Sequence, residues 1–135
     1  MVCCSYTRLD DRSIRWLVNL RVSKMGGVLR TLEIGRKAVA RGHGLIVGAQ
    51  VGETSLLSRA GLAVASGLDR NVLGREGAFG THLLQYDISR QDIRFGQSGM
   101  VSVAALAKKP GLGVQVTDES VRQCVGMKVA ERKGG

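Results

Sequence analysis

The feature that most constrains the fold is a repeated order, in which a short apolar run is followed by glycines and then by an amphipathic segment. In the first copy, residues 18–27, an apolar run carries basic residues to its end and two glycines follow. The same plan recurs along residues 28–53 and 54–77. Strand–helix units of this length join parallel strands, because parallel pairing requires a crossover. The sequence therefore predicts an α/β fold with about three parallel βα units.

The predicted elements follow from the apolar spacing. Strands are expected at 17–22, 45–47 and 71–74. The first is apolar enough to be buried on both faces, and the second is also expected to be buried. Helices are expected at 10–17, 28–41, 55–67 and 118–128, with a helical turn at 81–87 and a glycine turn at 111–114. A further strand of a different kind is expected at 100–106. In the helix at 28–41, the apolar stripe contains Leu29, Leu32, Ala38 and Val39, and Thr54 or Ser55 is expected to cap the next helix.

The charge balance raises the possibility of nucleic-acid binding. The chain has 20 Lys and Arg residues against 11 Asp and Glu residues, a net charge of +9. However, the basic residues are scattered along the chain, and aromatic residues make up only 4% of it. They therefore cannot interleave with the cations as a base-stacking platform requires. A solvated basic surface is favoured, and a nucleic-acid-binding module is the weaker alternative.

The cysteines and the N-terminus bear on location. Cys3, Cys4 and Cys124 have neither a metal-binding spacing nor the even number of a disulfide framework. The N-terminal residues include several charges and lack the apolar run of a signal peptide. No uncharged apolar stretch reaches the length of a membrane span. We therefore expect reduced thiols, no membrane partner and a cytoplasmic protein.

Two segments carry a resemblance to a known family. Residues 18–27 (VNLRVSKMGG) followed by residues 44–55 (GLIVGAQVGETS) resemble the enolase superfamily, most closely the muconate-lactonising and mandelate-racemase-like enzymes. Residues 76–84 and 110–116 resemble the last barrel strand and the C-terminal return segment of that family. The resemblance implies that residues 17–22, 45–50 and 71–75 are the sixth to eighth strands of a (β/α)₇β barrel. It divides the chain into a partial barrel (1–98), a return segment (99–128) and a tail (129–135).

The resemblance also implies an activity. The family removes a proton α to a carboxylate, and a divalent metal, usually Mg²⁺, neutralises the enolate that forms. Its three carboxylate ligands come from the third to fifth strands, which have no match in this chain. The resemblance thus implies an isomerase or lyase segment for a small carboxylate substrate, with Mg²⁺ in the complete enzyme and no metal ligand or activity in this chain alone. A missing N-terminal portion or association into a homo-oligomer would then supply the rest of the enzyme. A non-catalytic truncated remnant is the alternative.

Arg21 and Lys24 are the candidate catalytic residues. In the lysine-based members of the family a lysine on the sixth strand is an acid/base group, and the matching position here holds Arg21. An arginine is effectively always protonated, so Arg21 is expected to hold a carboxylate or stabilise an enolate. Lys24 follows at the end of the predicted strand and could carry the proton if its pKa is lowered by desolvation. The other interpretation of Lys24 is a surface lysine near a helix start.

Four further residues are candidate substrate contacts. Asn19 shares a face with Arg21 if the strand alternation holds to its end. Gln50 and Glu53 follow the second strand, and Glu76 follows the third, where barrel enzymes place substrate contacts. Glu53 matches a glutamate common in the family. The alternative for Glu53 is a carboxylate that stabilises a helix N-terminus, and the same alternative holds for Glu76.

Overall fold

Three short parallel strands alternate with helices in this computed structural model, which describes residues 15–77, 80–91, 93–102 and 108–132, without the side chains of 81 and 126–132. The strands are β1 (Leu17–Leu20), β2 (Gly44–Val47) and β3 (Val72–Arg75). The helices are α1 (Val22–Met25), α2 (Val28–Ala40), α3 (Ser55–Leu68), α4 (Gly80–Leu83) and α5 (Asp118–Arg132), with 3₁₀ turns at Asp69–Asn71 and Gln97–Gly99. This order confirms the predicted α/β class with its βα units.

The sheet follows the chain order β1-β2-β3, and both pairs of neighbouring strands are parallel. Leu20 lies opposite Val47 in the first pair. In the second pair the register shifts between Leu45 and Ile46, so that Ile46 lies opposite Gly74. Because all three strands run the same way, their carboxyl ends meet at one edge of the sheet, which is where a barrel enzyme assembles its site.

The core lies between the sheet and the long helices α2 and α3. Leu20, Leu45 and Val47 on the strands are at most 2% exposed, and Val64 on α3 is fully buried. The rest of this core cluster comes from α1, α2 and α3: Val22, Ala38, Ala60, Ala65 and Leu68. Burial of these small and branched side chains removes apolar surface from water, which is the main driving force for packing the helices onto the sheet.

The opposite face of the sheet carries exposed leucines. Leu17 is 59% exposed and Leu73 is 71% exposed. A Cβ placed on Gly44 would lie 2.8 Å from a terminal methyl group of each leucine, so the two side chains converge over this glycine. One face of the sheet is therefore packed under helices, while the other presents apolar side chains to solvent.

The end of β1 differs from the prediction. The strand was expected to continue to position 22 but ends at Leu20, and Val22–Met25 form a helical turn instead. Two glycines close that turn: Gly26 has a φ of 87° and Gly27 a φ of 104°, values that side chains disfavour. The predicted alternation of faces therefore stops at position 20 and does not decide where the following side chains point.

Other boundaries agree to within one residue for α2, β2, α3 and β3. Leu29 was wrongly placed on the buried stripe of α2, because it is 82% exposed while Thr31, Gly35 and Ala38 are the buried positions. The last helix continues to Arg132, four residues beyond the predicted end at 128. The turn before it is confirmed by a hydrogen bond from the Gly113 N–H to the Pro110 carbonyl (3.1 Å).

Two predicted elements extend beyond the described residues. Residues 10–14 of the helix expected at 10–17 lie outside them, and residue 17 belongs to β1. Residues 100–102 of the strand expected at 100–106 are not in a strand, and positions 103–106 lie outside the described part, as do Cys3, Cys4 and tail residues 133–135. Within the described residues, every helix is too short or too polar to cross a bilayer.

Candidate functional site

Arg21 and Lys24 flank the short turn that follows β1. Arg21 is the N-cap residue of α1, in extended conformation, and its carbonyl accepts from the N–H groups of Lys24 (2.9 Å) and Met25 (3.0 Å). The Arg21 side chain is half-buried, whereas Lys24 is exposed in the last turn of α1. The pair therefore lies at the carboxyl edge of the sheet, and Arg21 is the inner residue of the two.

Glu53 has a buried carboxylate with a hydrogen bond to each oxygen. Glu53 is only 8% exposed to solvent. Ser58 Oγ on α3 donates to Glu53 Oε1 at 2.8 Å, and the Gln50 N–H donates to Glu53 Oε2 at 3.0 Å. A buried carboxylate is costly unless donors replace its water, and these two bonds supply that replacement. Both oxygens face donors from this chain.

Glu76 makes a weaker contact with the same loop. Its Oε2 accepts from the Ala49 N–H at 3.3 Å, and its own N–H donates to the Val47 carbonyl at 2.8 Å. The residue is exposed, unlike Glu53. Two consecutive N–H groups after β2, those of Ala49 and Gln50, are thus each paired with a glutamate carboxylate. These pairs hold the β2–α3 loop in place.

Gln50 connects two loops of the site. Its Nε2 donates to Ser23 Oγ on α1 at 2.9 Å. A narrow crevice between these loops is lined by Arg21, Gln50 and Glu53 among the predicted residues and by Ser23, Val22, Gly48, Leu57 and Gly61. The crevice is filled by these contacts and has no room for a water molecule between its walls.

Asn19 packs outside this crevice. Its carboxamide occupies the space above Gly48 that a Cβ at that position would require. The residue is exposed on the sheet face that carries the exposed leucines. Of the six predicted site residues, the structure therefore brings together Arg21, Gln50 and Glu53 around the crevice and leaves Asn19, Lys24 and Glu76 outside its lining.

The sequence did not indicate an important tertiary cap beside the site. Thr54 is the N-cap residue of α3, but its side chain makes no capping hydrogen bond. Asp87 Oδ2 instead accepts from both the N–H (2.7 Å) and the Oγ (2.8 Å) of Ser55. Ser55 Oγ in turn accepts from the N–H of Ile93 (2.7 Å). Asp87 lies 32 residues after Ser55 in the chain, so local capping rules could not identify it.

Ser58 and Ser23 were also missed as partners of the predicted residues. Ser58 lies five residues after Glu53, at one of the buried positions of α3. Ser23 lies just after the strand predicted at 17–22, and the strand alternation places it on the face of Arg21 but does not identify Gln50 as its partner. Among the described residues, no three His, Cys, Asp or Glu side chains converge as a metal site would need.

The arrangement presents cationic and amide donors at the carboxyl edge of a parallel sheet. Arg21 can bind a carboxylate through two parallel N–H bonds, and the ammonium group of Lys24 belongs to an exposed residue of the same turn. The carboxylates of Glu53 and Glu76 are occupied by loop N–H groups. The chemistry that these residues can supply is thus recognition of an anionic group, with one exposed amine nearby.

Comparisons with known proteins support the fold of the chain. No protein-family model matches the sequence, and no curated protein sequence matches it. Among solved structures, the chain is similar to N-succinyl Arg/Lys racemase from Bacillus cereus ATCC 14579, with 21% sequence identity and a TM-score of 0.53. The similarity covers 73% of this chain and 24% of the racemase chain. This chain therefore spans about a quarter of the racemase and shares the fold of that part.

Proposed function

We propose that this chain is the C-terminal barrel segment of an enolase-superfamily enzyme, an isomerase or lyase that removes a proton α to a carboxylate. The observation that carries the proposal is the position of Arg21, half-buried at the carboxyl edge of parallel strands, with Gln50 and Glu53 packed beside it. Barrel enzymes build their active sites at that edge. The similarity to the solved structure of an N-succinyl Arg/Lys racemase is in keeping with this choice of chemistry.

In the proposed enzyme Arg21 holds the substrate carboxylate. Its guanidinium keeps its charge through the reaction and can bind both carboxylate oxygens. This contact would also stabilise negative charge as the enolate develops, because the charge spreads onto the same oxygens. Lys24 is the proposed proton carrier, because it lies three residues further along the same turn. Its side chain is exposed in this structure, so the rest of the proposed enzyme would have to desolvate it for base catalysis.

A divalent cation such as Mg²⁺ would neutralise the developing enolate charge in the complete enzyme. The described carboxylates of this chain do not fit such a site, because Glu53 accepts two hydrogen bonds and Glu76 binds a loop N–H. We therefore propose that the metal ligands come from other strands, and we assign no step of the reaction on this chain to the metal. A small carboxylate substrate and a cytoplasmic location complete the proposal.

The proposal has a direct test in deuterium oxide. We expect the purified chain, with Mg²⁺ and a panel of N-acyl amino acids and other carboxylic acids, to catalyse no deuterium incorporation at the α-carbon. The DNA upstream of Met1 should encode strands with acidic ends, and adding that polypeptide should produce incorporation. Replacing Lys24 by Met in the mixture should abolish it, while the exposed Lys108→Met variant should not.

Two results would contradict this function. Stop codons or frameshifts upstream, together with no incorporation in any mixture, would favour the non-catalytic remnant. Metal-dependent stabilisation of the isolated chain would show that a metal site exists on these residues after all. For the nucleic-acid alternative, salt-dependent retention on DNA at physiological ionic strength is the decisive measurement.

A further inference from the structure

The β2–α3 loop contains a turn that is closed by two hydrogen bonds between Gln50 and Glu53. The Glu53 N–H donates to the Gln50 carbonyl at 3.3 Å, and the Gln50 N–H donates back to Glu53 Oε2 at 3.0 Å. Gly52 inside the turn has a φ of 67°, a left-handed conformation that glycine adopts at little cost. The exposed Val51 forms the tip. The backbone of Gln50 is therefore held by both the main chain and the side chain of Glu53.

The Glu53 carboxylate is itself anchored from the opposite side. Ser58 Oγ, one helical turn into α3, donates to Glu53 Oε1 at 2.8 Å. The chain after β3 packs close by, since a Cβ on Gly80 would lie 2.6 Å from the Glu53 carbonyl oxygen. Rotation of the carboxylate away from the loop would break both hydrogen bonds, and the one to Ser58 is buried, where a lost hydrogen bond costs more than at an exposed position.

This anchoring of the Gln50 backbone also affects where the Gln50 side chain lies. With its backbone held, the Gln50 carboxamide extends to Ser23 Oγ at 2.9 Å. Ser23 lies in α1, two residues after Arg21, on the turn that follows β1. The hydrogen-bonded chain from Ser58 through Glu53 and Gln50 to Ser23 therefore joins α3 to the turn that presents Arg21.

We infer that Glu53 is a positioning residue, which acts through Gln50 to hold the β1 turn and the β2 loop in register at the site. This role differs from a substrate contact, because Glu53 directs both oxygens to Ser58 and Gln50. The inference rests on the proposed function only in that it treats this edge of the sheet as an active site. Its hydrogen bonds can be tested on the isolated chain, so failure of either proposal is distinguishable from failure of the other.

The experiment is native-state amide hydrogen exchange and ¹⁵N NMR of the full chain and its Glu53→Gln variant. We expect exchange at the Gln50 N–H to accelerate about tenfold beyond any change in global stability. The Gln50 side-chain amide resonances should move toward the positions that they have in a Ser23→Ala reference variant, which lacks the hydrogen bond between Gln50 and Ser23. The matched control is Glu76→Gln, which should accelerate exchange at the Ala49 N–H and leave the Gln50 side-chain resonances in place.

Ser58→Ala provides a milder second variant in case Glu53→Gln does not fold. It keeps the carboxylate but removes its anchor, so it should shift the same Gln50 resonances with a smaller acceleration of exchange. The inference is overturned if the folded variants change Gln50 no more than global unfolding predicts. It is also overturned if Glu76→Gln moves the Gln50 side chain as much as Glu53→Gln does.

Discussion

Individual carboxylates in this chain have different tasks according to the donors that surround them. Glu53 is buried against a serine hydroxyl and a loop N–H, Asp87 caps a helix that is distant in sequence, and Glu76 makes one long hydrogen bond from an exposed position. The free energy at stake follows burial, because an unsatisfied buried donor or acceptor loses its water without replacement. Substitutions at these acids should therefore differ in effect although the side chains are similar.

Asp87→Asn is expected to destabilise the chain by about 1–3 kcal/mol. Asp87 Oδ2 accepts two hydrogen bonds from Ser55, while Oδ1 accepts from the N–H of Ser89 at 2.9 Å. An asparagine replaces one of these two acceptor oxygens by an NH₂ group, which is a donor and would then face the N–H or O–H donors of Ser55 or Ser89. Urea unfolding of the variant should show the loss.

The control for this prediction is Asp118→Asn, at the exposed start of α5. It should cost less than about 1 kcal/mol, since it removes only a favourable charge at a helix N-terminus. Equal losses in the two variants would contradict the assignment of Asp87 as a tertiary cap.

At the scale of elements, α2 and α3 show how helix packing depends on single glycines. Gly35 lies on the buried face of α2, where a Cβ would be 2.6 Å from a methyl group of Leu68 and 3.1 Å from one of Leu20. On α3, a Cβ at Gly61 would lie 3.7 Å from a methyl group of Val47, an ordinary contact. One glycine therefore permits close helix packing, while the other only lowers helix propensity.

Gly35→Ala should destabilise the chain by about 1–3 kcal/mol, because the added methyl group overpacks the core. Gly61→Ala should stabilise it by about 0.5–1 kcal/mol through helix propensity alone. Thermal unfolding of the two variants measures both effects. Changes of the same sign would show that the packing around these helices differs from this description.

The exposed face of α2 carries a salt bridge between Glu33 and Lys37. The hydrogen bond from Lys37, followed by its charge, holds the pKa of Glu33 below its ordinary value of 4.5. A carboxyl whose pKa is lower in the folded state stabilises the fold above its unfolded pKa, and this contribution is lost as pH falls through the folded value. The contribution should be small, since both side chains are exposed.

Glu33→Gln should therefore lower stability slightly at pH 7, and the difference from the parent should vanish once the pH falls below the folded pKa of Glu33. Urea unfolding at several pH values gives the comparison. High salt should reduce the difference at pH 7 through screening. A difference that grows on acidification would contradict the sign of the pKa change.

At the scale of the whole molecule, the sheet has one face packed by helices and one exposed face. Leu17 and Leu73 meet on the exposed face, and β1 and β3 each have a free edge within the described sheet. Exposed apolar faces and free strand edges promote association. In the proposed enzyme, the remaining barrel strands would cover them.

We expect the isolated chain to self-associate through this face. Leu73→Lys should shift sedimentation velocity profiles toward monomer, because a charged amine opposes burial of the face. Leu83→Lys is the matched control, since Leu83 is 55% exposed on α4, away from the strands. An equal shift in both variants would point to general hydrophobic association, and not to the sheet face.

The extent of sequence prediction differs between the fold and the site. The order of strands and helices was predictable, because apolar spacing and glycine positions are local signals. The end of β1 was not, since Arg21–Met25 contains residues that suit a strand as well as a turn, and the backbone hydrogen bonds to Arg21 decide between them. Leu29 illustrates the same limit: helical spacing identifies an apolar residue, but the position of the sheet decides which face is buried.

The sequence by itself determined that Gln50 and Glu53 follow the second strand, that Glu76 follows the third, and that Arg21 lies near the end of the first, so that all four belong to one edge of the sheet. Only the tertiary structure decided which of these side chains meet. The partners of Gln50 and Asp87 are 27 and 32 residues away in the chain. Hydrogen bonds over such separations depend on how the elements pack, and local patterns carry no information about them. The physical reason is that burial and donor placement are properties of the packed sheet and helices together.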